Sequence, residues 1–119
     1  MREIKFRQYF DGSFHYWGYI KGKFITPLTN SEAHRIKSQQ FTGLLDKQGI
    51  EIYEGDIVSP DGNKKHLFLG VVKSKRRLDS NQGFINLYVE GVRDKFEQDY
   101  LPDYYEVIGN IYENKDLLK

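Results

Sequence analysis

Two groups of residues in this 119-residue chain have the types and spacing for chemistry, a run of bases and a triplet of acids. Lys64, Lys65, Lys73, Lys75, Arg76 and Arg77 fall in a stretch that holds no acid. Such a run can follow a phosphate backbone, because each cation displaces a condensed counterion. Phe68 and Tyr88 are placed to stack on bases. If residues 66–73 form a strand, the two basic groups lie about 25 Å apart at about 3.3 Å per residue. The plainer reading is two unrelated solvated loops. The net charge of +1 also weighs against a dedicated nucleic-acid binder.

The acids are Glu51, Glu54 and Asp56. A carboxylate pair can serve as general acid and base, but only where burial drives the two pKa values apart. Their glycine-rich surroundings predict solvent exposure, so no catalysis is expected there. His15, His34 and His66 lack the spacing of a metal site, and no metal is expected. The chain has no cysteine, which excludes disulfides, thiolate nucleophiles and cysteine-held metals. It has no Gly-x-Ser-x-Gly elbow, Walker A loop or dinucleotide fingerprint. The expectation is a non-enzymatic protein without a cofactor.

The elements that position these residues read as strands. Nine Tyr, eight Phe and one Trp favour β structure, and eleven Gly supply turns. Ile4, Phe6 and Phe10 alternate with Lys5, Arg7 and Tyr9, which predicts a half-buried strand. Asp11-Gly12 is a hairpin signal, and residues 14–20 form the returning strand. Gly22-Lys23 turns the chain into a third short strand over 24–26. Residues 1–28 are therefore expected to form a β-meander.

Residues 29–34 allow a short helix, and 35–41 read better as strand. Turns are expected at 46–49, 54–56 and 60–63. Strands are expected at 51–53, from 57, and over 66–73, 84–89 and 104–112. Residues 93–103 read as loop, and 113–119 as a tail or one helical turn. Short strands at close spacing indicate an all-β protein. The expectation is one domain over 1–119, with an SH3-like barrel over 40–119.

Charge is unevenly spread. Residues 1–78 hold 14 basic and 8 acidic residues, a net of +6, and residues 79–119 hold 4 and 9, a net of −5. The two halves can neutralise each other within one fold or pair head to tail between copies. The strand over 14–20 carries Phe14 and Tyr16 on one face and Trp17 and Tyr19 on the other. One face needs a cover, so Trp17 and Tyr19 are candidates for self-association. The first ten residues are charged and lack an apolar core, and no apolar run approaches a membrane span. A cytoplasmic location away from membranes is expected.

Three segments together resemble the YopX family. They are Ile4-Lys5-Phe6-Arg7, then residues 41–49 (FTGLLDKQG) with residues 51–58 (EIYEGDIV), and finally residues 105–114 (YEVIGNIYEN). Leu45, Ile50, Gln8-Tyr9 and Lys115 depart from the family pattern without touching the turn glycines. The resemblance implies a phage or prophage origin, a β-rich fold and an oligomer. A host or phage protein is a further expected partner. It implies no activity and transfers no functional residue. The matched Gly43, Gly49, Gly55, Asp56 and Gly109 have the character of structural turn residues.

Overall fold

The computed structural model describes residues 4–28, 37–76, 85–100 and 104–118. Among these residues, ten strands make two five-stranded antiparallel sheets. The first sheet contains β1 (Lys5–Phe10), β2 (Ser13–Ile20), β3 (Lys23–Ile25), β4 (Gln39–Leu45) and β5 (Glu51–Tyr53), in the order β3-β2-β1-β4-β5. The second contains β6 (Asp56–Ser59), β7 (Gly70–Arg76), β8 (Ile85–Gly91), β9 (Glu97–Asp99) and β10 (Glu106–Asn110), in the order β10-β6-β7-β8-β9. A 3-10 helix spans Lys115–Leu118.

The all-β class and the opening meander follow the sequence reading. The pairing of the described strands closes neither sheet, so the barrel expected over 40–119 has no closing ladder among them. The sheets also divide the chain differently from that expectation. β4 pairs with β1 of the N-terminal meander and β5 with β4, and the change of sheet falls at Glu54-Gly55.

The apolar clusters are built mainly on the second sheet, with Ile52 of β5 added from the first. Ile52, Val58, Val72, Val89, Tyr100 and Tyr105 form one buried cluster. Ile57, Leu69, Val71 and Leu117 form another, with Leu117 supplied by the 3-10 helix. Ile57 and Val58 are sequence neighbours in different clusters, as are Val71 and Val72. Both faces of β6 and β7 are therefore covered, which is why each reads as a short continuous apolar run.

The strand reading changes most in three places. Residues 66–69 are turn, not strand. The His66 ring Nδ1 accepts the Phe68 N–H at 3.0 Å, and the Leu69 N–H reaches the His66 carbonyl at 3.2 Å. These local bonds compete with the ladder, so β7 starts only at Gly70. The strand expected over 35–41 appears as β4 from Gln39 and runs through Gly43 to Leu45, with a register shift between Phe41 and Leu45. Residues 35–36 lie outside the described residues, as does the helix start expected within 29–34. Within 93–103, the short strand β9 pairs with β8. It is exposed and charged, as edge strands often are, and shows no apolar alternation.

Candidate functional site

β1 presents its charged face inward. Lys5 and Arg7 are buried, while Ile4 is 57% exposed. Arg7 stands opposite Gln39 in the β1–β4 ladder, and its Nε donates to Gln39 Oε1 at 2.7 Å. Its Nη2 donates to Asp56 Oδ1 in an ion pair, and Asp56 belongs to the second sheet. The guanidinium also lies between two rings, 4.2 Å from the Phe14 centroid and 4.4 Å from that of Tyr53. The other Asp56 oxygen accepts the Tyr53 N–H at 2.8 Å. Nearby, Lys5 pairs with Glu51 and sits 4.6 Å from the Phe41 ring centroid. Buried charge is tolerated only when paired and hydrogen-bonded, and Arg7 meets that condition.

Gly55 makes this arrangement possible. Its φ is +90°, and a Cβ there would fall on the Gln39 amide nitrogen. Its N–H donates to the Val72 carbonyl at 2.8 Å, and its carbonyl accepts the Ile111 N–H at 3.0 Å. The Gly-Asp turn thus ties β6 to its neighbours while leaving room for the amide that orients Arg7.

The Arg7–Asp56 pair lines a cleft of about 650 Å³ bordered by both sheets. Tyr16, Ile25 and Ile50 are exposed and line the same cleft. Burial pushes the Asp56 carboxyl above the usual carboxylate range, against the opposing pull of Arg7 and the Tyr53 N–H. Burial, reinforced by the Glu51 charge, also raises the Tyr53 phenol above the ordinary tyrosine range. The expected exposure of Asp56 is therefore overturned: it is 2% exposed. Burial does not supply a general base, because both carboxylate oxygens are already engaged. Among the described residues, no histidine, serine or threonine lines this cleft and no metal-binding cluster occurs. The arrangement latches two sheets together.

The remaining turn residues also have structural partners. Gly43 and Gly49 have φ of +84° and +83°, Gly43 within the β4 irregularity and Gly49 in the β4–β5 turn. Asp46, overlooked as a buried group by the sequence reading, is 5% exposed. Its Oδ1 accepts the N–H groups of Gln48 and Ile50, both at 2.8 Å, and its Oδ2 accepts that of Val107 at 2.9 Å. Gly109 lies where β10 shifts register against β6, and a Cβ there would meet the Asn114 side chain. The repeated Asp and Asn beside glycine were the available signal for such backbone-capping groups.

The basic residues are spread along the turn before β7 and the β7 strand itself. Lys64 and Lys65 sit in the exposed turn before β7, where Arg93 donates to the carbonyls of Lys64 (2.7 Å) and His66 (2.9 Å). Lys73 is in mid-strand and pairs with Glu90 at 2.9 Å. Lys75 and Arg76 continue the β7 backbone, and Arg77 lies outside the described residues. Acidic residues flank this region: in the adjacent ladder, Asp99 stands opposite Tyr88 and Glu97 opposite Glu90. His34 is outside the described residues, while His15 Nε2 lies 2.8 Å from the Thr26 carbonyl oxygen.

The aromatic candidates lie on the outer face of the first sheet. Trp17 is half-buried, stacked on Phe6 at 4.2 Å, and its indole N–H donates to Ser38 Oγ at 3.1 Å. Tyr19 is 59% exposed and stands opposite Phe24, which is 55% exposed. No helix among the described residues is long and apolar enough to cross a membrane. A family model described as YopX protein matches residues 13–119, while no curated protein matches the chain.

Proposed function

Since the chain belongs to the YopX family, which brings no activity to transfer, we propose from its surfaces that it is a non-enzymatic, self-associating interaction module. The reading includes the phage or prophage origin and the cytoplasmic setting expected from the sequence. One observation carries it. Ile4, Tyr19 and Phe24 are exposed by more than half, beside Phe6 and Trp17, on one face of three adjacent strands. Large aromatics grouped in this way usually mark an interface.

The occupant is a second copy of the chain. β3 is the open edge of its sheet, and an open edge is a template for pairing. Antiparallel pairing of β3 with its counterpart, centred on Phe24, sets Lys23 opposite Ile25. No like charges then face each other in the ladder. The contact is isologous, as in a twofold dimer, and it joins the two aromatic faces into one.

Sedimentation at micromolar concentrations tests the proposal. The wild type is expected to be oligomeric, and Tyr19→Ser and Phe24→Asp are expected to shift it to monomer with an unchanged far-ultraviolet spectrum. A monomeric wild type, or an oligomer indifferent to both substitutions, refutes it.

A further inference from the structure

The second cavity, of about 330 Å³, lies beside Gln39 and Gly55 and shares no lining residue with the aromatic face, which it meets through the Trp17–Ser38 bond. Its size is at the small end for ligand pockets, about 300–1,000 Å³. Its lining holds hydrogen-bond donors from Lys37, Ser38 and Lys73, with the rings of Tyr88 and Tyr112. The Lys37 ammonium has no partner among the described residues. Ser38 accepts the Trp17 indole N–H, which leaves its own hydroxyl proton to donate. Lys73 is held only by a half-exposed pair with Glu90, a weak contact in water.

The rings are placed by the fold. Tyr88 stands opposite Lys73 in the β7–β8 ladder. Tyr112 stacks on Tyr9, with centroids 5.3 Å apart and planes 10° apart, so one of its faces is fixed. Glu54 supplies a carboxylate to the same lining. Two ammonium groups and the Ser38 hydroxyl suit a phosphate, flat rings suit a base, and the carboxylate can accept from an amino or sugar hydroxyl group.

The geometry points to this cavity as a site for a nucleoside phosphate, either free or as one unit of a single strand. It does not use the basic turn at Lys64 and Lys65. Trp17 is the only tryptophan, and its bond to Ser38 makes it a built-in reporter. Fluorescence titration of the full chain is the test, using AMP, adenosine, inorganic phosphate and a short single-stranded DNA. AMP is expected to bind saturably and at least about tenfold more tightly than adenosine or phosphate alone. Lys37→Glu, at an exposed position that leaves the fold intact, is expected to weaken AMP binding about tenfold or more. Tyr112→Leu is expected to weaken AMP more than phosphate. Tighter binding of the strand than of AMP assigns the unit to a strand, and the reverse assigns a free nucleotide. Absence of saturable binding by both AMP and the strand overturns the site. So does AMP binding that is unchanged by Lys37→Glu.

Discussion

The two faces of the first sheet reverse the usual arrangement. Inward, Lys5, Arg7 and Gln39 are buried with partners. Outward, Tyr19 and Phe24 are exposed on an open edge. Alternation separates the side chains into two sets, but it does not decide which set is covered. That is decided by what the rest of the chain offers. Asp56, Gln39 and the rings of Tyr53 and Phe14 give the Arg7 guanidinium its partners, and the described residues offer the outer aromatics no comparable cover. A second copy completes what the fold leaves open, in the reading proposed above.

The largest expected effect tests the inner face. Arg7→Ala or Asp56→Ala leaves one buried charge unpaired and is expected to cost about 3–5 kcal/mol in urea unfolding. Arg7→Met with Asp56→Leu removes both charges, so its loss should fall well short of the sum of the single changes. A loss under about 1 kcal/mol for either single change would make this an ordinary surface pair and dissolve the contrast between the faces. The pair also has a pH signature. The folded carboxyl of Asp56 titrates above its unfolded value of 3.8. Between those two values the folded state binds the proton more firmly. The Asp56 contribution is therefore fully present below pH 3.8 and declines as pH rises through the folded value. Asp56→Asn should remove that part of the stability–pH curve.

Next in size is the backbone support. Gly55→Ala meets both a positive φ and the Gln39 side chain. The expected loss is about 1–3 kcal/mol, and it should shrink when combined with Gln39→Ala, which clears the amide. An undiminished loss in the double variant would assign the whole cost to backbone conformation and none to the Arg7 support.

Tyr53 offers a smaller test. Its phenol is raised above the ordinary tyrosine value of 10.0, so the folded state keeps its proton where the unfolded chain begins to lose it. This contribution is whole below pH 10 and is lost as pH rises further. Tyr53→Phe is expected to flatten the stability curve above pH 10. An unchanged alkaline limb would show that the ring is wetter than its 3% exposure indicates.

The class, the meander and most turns were legible because they rest on local patterns. Asp11-Gly12, the aromatic alternation of β2 and the paired valines each announce one element. The inverted burial of β1 was not legible. It depends on Asp56, 49 residues away in sequence, and no local signal distinguishes a paired arginine from a solvated one. The same limit hid Asp46, whose bond to Val107 spans 61 residues. Residues 66–69 failed for the opposite reason: apolar Leu67 and Phe68 read as strand, while the His66 ring set a turn. The second cavity was partly visible through Lys73 and Tyr88, but its other wall comes from Lys37 and Ser38, which only the topology brings near.

The smallest expected effect sharpens the contrast from the outer side. Tyr19→Ser changes an exposed ring whose described aromatic contact is Phe24, at 5.2 Å between centroids. In a dilute, monomeric sample its effect on stability should stay within about 0.5 kcal/mol, as for surface positions generally. Trp17→Phe at the neighbouring position keeps the stack on Phe6 but removes the bond to Ser38, and about 1 kcal/mol is expected. Dilution matters, because association binds only the folded state and would add a concentration-dependent term. If Tyr19→Ser lost about 2 kcal/mol even in dilute solution, another part of the same chain must cover the ring. The outer face would then be a second core and not a surface for another copy.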